Sequence, residues 1–276
     1  MRIKRNSSNY LMEHSLEAKR LSRKANPDDF IDRYIGRLIA ERSGMRKNGR
    51  LEILDVGCGS GSVVSKLAKR YPRCSIYGVD LNAARFHDLQ KNCCPVNLTF
   101  VEADARQLHF EDNKFDVVFS RFLLEYMSDP SLVISEMIRV ARRGGFILLQ
   151  DLDGQLLRNY PIDICLRKKI NRVVNYLKQS GFDPYVGRKL FFLAKKNGLR
   201  KTKVFIEPYH LIAGKITNEN YLLWDMKLEI AKPHIAQALG SKNAAILFKK
   251  EYLRYLSNEH TLTYSDLITV VGKKGL

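Results

Sequence analysis

One segment constrains this chain more than any other: Leu54-Asp55-Val56-Gly57-Cys58-Gly59-Ser60-Gly61. The apolar run from Leu51 to Val56 meets three glycines at alternate positions. Val63, Val64, Leu67, Ala68 and Tyr71 then follow at helical spacing. That order reads as strand, tight turn and helix. Glycines permit the turn and let another group approach where a Cβ would collide. The next strand, Ser75 to Asp80, ends in a carboxylate. A third, Leu98 to Val101, leads into Glu102-Ala103-Asp104. Open α/β sheets bind ligands at the carboxyl edge of their strands. The glycine turn, Asp80 and Asp104 therefore project to one edge. A tight turn beside two merely solvated acids is the plainer alternative, and the shared edge weighs against it.

The alternation continues. Phe115 to Ser120 reads as a fourth strand. Asp129-Pro130 suits an N-cap followed by proline at the first helical position, with Gly144-Gly145 stopping that helix after Arg143. Phe146 to Gln150 is a fifth strand. Beyond it the pattern predicts helices over 162–180 and 184–197, a strand over 203–212, helices over 218–231 and 241–257, and a last strand over 264–272. Such alternation predicts an α/β fold, with a doubly wound, mostly parallel, seven-stranded sheet. Upstream, residues 9–25 read as an amphipathic helix. A second helix over 28–43 buries Ile31, Ile35, Leu38 and Ile39. The expected division is an N-terminal helical lid over 1–50 and a sheet domain over 51–276, with helical cap insertions around 155–200 and 215–258.

The edge chemistry narrows the ligand. A carboxylate at Asp80 can accept both hydroxyls of a ribose, and Asp104 lies within reach of an adenine edge. The dinucleotide fingerprint GxGxxG would need a third glycine where Ser62 stands, and no GxxxxGK[ST] phosphate loop occurs. An adenosine cofactor shorter than a dinucleotide fits best.

Here the chain resembles the class I S-adenosylmethionine-dependent methyltransferases, near the branch of ubiquinone/menaquinone-biosynthesis and natural-product enzymes. The resemblance is carried by Leu54 to Gly61, Gly78-Val79-Asp80-Leu81, Glu102-Ala103-Asp104-Ala105, Phe115 to Ser120 and Arg139 to Gly145, and covers roughly 51–151. It implies a Rossmann-like methyltransferase fold with S-adenosyl-L-methionine as cofactor and S-adenosyl-L-homocysteine as product. Gly57, Gly59 and Gly61 would pass beneath the methionine part, with Asp55 and Cys58 in the same set. Asp80 would hold the ribose and Leu81 would pack on the adenine. Asp104 and the Ala105 amide would meet the adenine edge. Ser120 and Arg121 would line the methionine side, with Arg121 pairing with the carboxylate. Many relatives carry histidine where Glu125 stands. A helix like 9–25 closes over the cofactor in some small-molecule members, which makes Tyr10 a candidate contact.

Methyl transfer from a sulfonium needs positioning and exclusion of water more than acid–base help. No dedicated acid/base pair emerges. Asp151, His14, His210 and Tyr160 are candidates, with Tyr209 and Asp153 behind them, and each is more often a structural residue. The fourth strand ends Ser120-Arg121-Phe122-Leu123, without the Asn/Asp-Pro-Pro-Tyr run or the Pro-Cys of base- and amide-methylating enzymes. A small-molecule acceptor, methylated on oxygen, nitrogen or carbon, is the expectation. The alternatives are an RNA- or protein-directed enzyme and a homologue that only binds cofactor.

Charge bears on those alternatives. The net charge is +18, with +7 in residues 1–50, zero in 51–150 and +11 in 151–276. The excess lies outside the cofactor motifs, where it can draw anions or simply keep the surface solvated. Nucleic acid is therefore a possible partner, though not the favoured one. Five cysteines without CxxC argue against a disulfide framework or a metal site. With no apolar leader or membrane-length run, a cytoplasmic setting is expected.

Overall fold

The computed structural model describes residues 27–45, 49–92 and 94–275. Tyr10, His14 and the helix expected over 9–25 lie outside the described residues. Helix α1 covers residues 27–45, with a π-helical stretch at Ile31–Ile35. Then follow β1 Glu52–Val56, α2 Ser62–Arg70, β2 Ser75–Asp80, α3 His87–Asn92, β3 Leu98–Glu102, β4 Phe115–Arg121, α4 Pro130–Val140 and β5 Ala141–Tyr160. The second half holds α5 Ile164–Gln179, α6 Val186–Lys196, β6 Arg200–Ala213, α7 Asn218–Leu239, α8 Lys242–Leu256 and β7 Leu262–Lys273. The seven strands are ordered β3-β2-β1-β4-β5-β7-β6. β1 to β5 run parallel, while β7 is antiparallel to both its neighbours. The doubly wound sheet read from the sequence is the one observed.

The central strands β1 and β4 are buried on both faces, which is why they read as continuous apolar runs. Ile53, Ile76, Phe119 and Leu148 pack beneath α1 and α2. Leu54, Val56, Val118 and Leu149 face α4 and α6 on the other side. The stripe Ile31, Ile35, Leu38 and Ile39 is buried as expected, but it belongs to the core. The described part of the expected lid is a sheet-covering helix. Tyr34 donates its hydroxyl to Glu207 and sets its ring edge-on to Phe205, fastening α1 to β6. Near the opposite end of α1, the wholly buried Asp116 accepts from Arg42 (3.0 Å), Arg142 (2.7 Å) and the Glu52 amide (3.0 Å).

Three expected boundaries move. α4 ends at Val140, and Gly144-Gly145 lies within β5. β5 runs on to Tyr160 because β7 keeps pairing with it past an irregularity, through Arg158↔Tyr264 and Tyr160↔Leu262. α7 continues through Pro233 to Leu239. The cap also differs from the expected insertions. α6 packs on the sheet through Val186, Leu190 and Ala194. α5, α7 and α8 instead form a third core of their own around Trp224, Phe248 and Tyr252.

Asn97 shows how locally the lower rim is held. Its amide nitrogen lies within donating distance of the carbonyls of Ala68, Tyr71 and Cys74, at 3.0–3.2 Å. Asn97→Ala strands those buried acceptors and should lower unfolding stability by about 1–3 kcal/mol in urea titration.

Candidate cofactor site at the carboxyl edge

The site grows from β1. Its last residue, Val56, enters the glycine turn, where Gly57, Gly59 and Gly61 have φ of 81°, 55° and 75°. Side chains are also excluded by space. A Cβ on Gly61 would lie 2.6 Å from the Phe100 ring, and one on Gly57 3.0 Å from Leu123. Gly61 then caps α2 in the left-handed conformation. The Gly57 and Cys58 amides both donate to the Val79 carbonyl (2.8 Å) and the Gly61 amide to that of Cys58 (3.0 Å), so the turn is fastened to the neighbouring strand at the start of α2.

Asp80 ends the neighbouring strand and is 5% exposed. It accepts from the Gly59 amide (2.9 Å), the Asn82 amide (3.1 Å) and Arg85 (3.0 Å). The carboxylate therefore fixes the turn's geometry and keeps acceptor capacity toward the edge. Leu81, next in sequence, is 49% exposed. Asp104 follows β3, with Ala105 beside it, and is gripped by Arg106, which holds its carboxyl below the usual range.

β4 supplies the other side. The Ser120 hydroxyl is buried and has no hydrogen-bond partner. Arg121 donates to Gln150 Oε1 (2.8 Å), and Gln150 in turn donates to Thr269 (2.7 Å). The Arg121 guanidinium lies 4.9 Å from the Phe30 ring centre and 4.7 Å from that of Phe122. Phe122 has a φ of 56°, uncommon for a bulky residue. Such strain persists only where its surroundings impose it.

Asp55, one strand position before Val56, is 3% exposed. Burial pushes its carboxyl up to about 8, Arg121 draws it down and Asp80 pushes it further up. Cys58 is also driven well above its ordinary range, first by burial and then by Asp55 and Asp80.

The four strand ends thus bring together Asp55, Gly57, Cys58, Gly59, Gly61, Asp80, Leu81, Asp104, Ala105, Ser120 and Arg121. Of the described acid/base candidates, Tyr209 is the one tied to this edge, its ring 5.5 Å from that of Phe122 beside Arg121. Tyr160 is 74% exposed, ten residues beyond Gln150 along β5. Asp153 is consumed by Arg188 and Arg158 as a clasp between β5 and α6. Asp151 is wholly buried, accepts from the Glu125 amide (3.1 Å) and is held far above the carboxylate range by burial and by Glu125. His210 lies between the rings of Tyr209 and Trp224, with its Nδ1 3.2 Å from the Ser265 hydroxyl.

Several structural partners escaped the sequence reading. Gln150 orients Arg121. Glu125, 2% exposed, joins Asp151 in a buried acid pair. The Gln155 amide satisfies both neighbours when its nitrogen faces Glu125 (3.1 Å) and its oxygen faces Lys227. Each is a long-range contact without a local pattern. Among the described residues, no group of three His, Cys, Asp or Glu side chains is placed to hold a metal ion. No described helix is long and apolar enough to cross a membrane.

Residues 54–149 match the family model described as a methyltransferase domain. Phthiotriol/phenolphthiotriol dimycocerosates methyltransferase 1 of Mycobacterium ulcerans is 37% identical over 100 residues, covering 36% of this chain and 37% of that protein. A ubiquinone/menaquinone biosynthesis C-methyltransferase of Desulfotalea psychrophila is 30% identical over 97 residues, covering 35% and 39%. The chain spans half or less of the length of these relatives. Among solved structures, phosphoethanolamine N-methyltransferase 2 of Haemonchus contortus, in complex with S-adenosyl-L-methionine, aligns with a TM-score of 0.52 at 18% identity. It covers 91% of this chain and 60% of that one. The [4+2]-cyclase SpnF aligns at 0.53 and 19% identity, covering 88% and 81%. These structural likenesses concern the fold.

Proposed function

We propose, from the premise that residues 54–149 form a methyltransferase domain of the class I, S-adenosylmethionine-dependent kind, that this protein transfers a methyl group from S-adenosyl-L-methionine to a small-molecule acceptor. The observation that carries the reading is the Asp80–Gly59 hydrogen bond, which locks a ribose-binding carboxylate onto a turn of left-handed glycines. The residues present fit the cofactor. Its polar groups would meet the partnerless Ser120 hydroxyl, beside the turn that Asp80 holds through the Gly59 amide.

Asp80 would accept the ribose hydroxyls, with Arg85 giving up its place. Leu81 would cover the adenine face, and Asp104 with the Ala105 amide would meet its edge. Gly57, Cys58, Gly59 and Gly61 would run beneath the methionine part. Asp55 would face its ammonium, and Ser120 with Arg121 its carboxylate. Tyr10 is carried as a contact from the family resemblance alone. When bound, the sulfonium supplies an electrophilic methyl group, and the product is S-adenosyl-L-homocysteine. The chain's own work is then to align the acceptor and keep water out. Asp151 and Glu125 are too deeply buried to reach an acceptor and are read as structural.

A small-molecule acceptor is supported by the names of the relatives, which include a fatty-acid O-methyltransferase and a trans-aconitate 2-methyltransferase. A second reading keeps the cofactor fold for other chemistry. It is favoured by the likeness to a [4+2]-cyclase, since a fold alone does not set a reaction. Calorimetry should show S-adenosylhomocysteine binding, and labelled S-adenosylmethionine should pass its methyl to an extracted small molecule. Tight NADH binding, with none of S-adenosylhomocysteine, would overturn the assignment.

A further inference from the structure

Helix α6 has two contrasting sides. Val186, Leu190 and Ala194 are buried against the sheet. Positions three and four apart share a helix face. The face turned away from the sheet carries Phe192, with Arg188 one turn before it and Lys195 and Lys196 one turn after, all exposed. Phe192 is 64% exposed and the adjoining Phe191 46%. Single exposed apolar residues are ordinary, but an exposed pair of phenylalanines among cations is a patch that calls for a partner.

The edge strand extends this surface. α6 packs against β6. Val204 and Ile206 pair with Val270 and Ile268 of β7, which share a buried cluster with Leu190 and Ala194. Residues paired across a ladder point to the same side of the sheet. Val204 and Ile206 therefore emerge on the α6 side, where both are exposed, while Phe205 between them meets Tyr34 of α1.

Charge surrounds the apolar patch. From Tyr185 to Ile206 the chain holds seven Lys or Arg and no Asp or Glu. Arg188 is taken by Asp153 and Lys189 by Asp183. Lys195, Lys196, Arg200 and Lys201 are exposed, and among the described residues none of the four meets a carboxylate.

We propose that this face rests on an anionic lipid surface, with Phe191 and Phe192 entering the headgroup layer and Lys195 and Lys196 reaching the lipid phosphates. Aromatic residues set among lysines on one helix side are the pattern of a helix that lies in an interface. Lysine stems can follow the apolar surface while their ammonium groups stay with the phosphates. A bilayer needs no concave fit, whereas a nucleic-acid strand is held in a groove, and this convex helix flank offers none. The inference is independent of the methyltransferase reading. Arg188, held by Asp153, ties α6 to β5 just past the site edge, so docking would orient that edge relative to the lipid.

The probes are vesicles of phosphatidylcholine alone and of phosphatidylcholine mixed equally with phosphatidylglycerol, sedimented with the full-length protein. The protein should bind the anionic vesicles roughly tenfold or more tightly than the neutral ones. Salt at about 1 M, which shortens the screening length to about 3 Å, should remove most of that difference. Each lysine near such a surface contributes roughly fivefold, so Lys195→Gln with Lys196→Gln should weaken binding by about tenfold or more. Phe191→Ser with Phe192→Ser should weaken it by roughly tenfold through lost apolar burial. Both pairs should leave S-adenosylhomocysteine binding unchanged by calorimetry. The phenylalanine pair separates a lipid surface from a plain polyanion site. If the serine variant binds anionic vesicles like the unaltered protein, the face is a polyanion patch and the proposal fails. It fails too if neutral vesicles bind equally well, or if neither kind pellets the protein. Should the serine variant lose its circular dichroism, Phe192→Trp decides. Brominated acyl chains in anionic vesicles should quench the indole so introduced, beyond any quenching of the buried Trp224, and no added quenching overturns the proposal. Vesicle binding without S-adenosylhomocysteine binding would sink the methyltransferase reading alone, and the reverse result would sink the lipid surface alone.

Discussion

Replacing Asp80 by alanine should weaken S-adenosylhomocysteine binding by about two orders of magnitude, measured by calorimetry at neutral pH. A charge-assisted hydrogen bond contributes roughly 1.5–3 kcal/mol, and a ribose offers two hydroxyls to this carboxylate. Part of the loss is indirect. The Gly59 and Asn82 amides lose their acceptor, so the glycine turn loosens. Two companions separate the effects. Asp80→Asn keeps the volume and one acceptor oxygen, and should fall between the other two. Arg85→Ala removes the guanidinium that occupies Asp80 Oδ1, and should leave affinity equal or improved. Retention of affinity within threefold in Asp80→Ala would place the ribose elsewhere.

Cofactor affinity should also depend on pH through Asp55, falling up to about tenfold per unit below pH 8. The ligand-free protein holds this carboxyl at about 8, chiefly by burial. A cationic methionine group prefers the ionised form, so binding between the two pKa values releases a proton. Affinity is complete above pH 8 and declines as pH drops, by roughly 100-fold at pH 6 if the bound value lies below that. The same shift acts on folding with the opposite trend. A carboxyl raised in the folded state binds its proton more tightly there than in the unfolded chain. Its contribution is fully present below about pH 4 and is lost as pH rises toward 8. Asp55→Asn should therefore raise the melting temperature at pH 8, flatten its pH dependence and abolish the slope in cofactor affinity. A wild-type affinity flat from pH 6 to 8.5 would show that Asp55 does not face the ligand.

What the sequence made legible shares one property: it is written at element ends. The glycine turn, Asp80, Asp104 and Ser120-Arg121 each sit where a short apolar run stops, and the topology carries all of them to one edge. The buried stripe of α1 was equally legible from its spacing. Its partner was not, because whether a helix covers a sheet or closes over a pocket is decided by distant residues such as Phe205 and Glu207. The length of β5 escaped for the same reason. Nothing local distinguishes Asp151 to Tyr160 as strand, and it is pairing with β7 that extends it. The Asp153 carboxylate looked like edge chemistry from its position after Gln150. Arg188 from α6, together with Arg158 farther along β5, makes it a clasp.

β6 is the outermost strand of the sheet, and among the described residues β7 is its only neighbour. It runs for 14 residues, with Val204, Phe205 and Ile206 exposed at 42%, 41% and 64%. A long apolar rim of this kind is a template on which a second chain could add a strand. Arg200, Lys201 and Lys203 stand immediately before that triplet, all exposed, within a C-terminal half that carries most of the net positive charge. Two such rims meeting would bring these like charges together. High salt, or acetylation of these lysines, would weaken that repulsion and favour aggregation from the rim while leaving the fold itself unchanged.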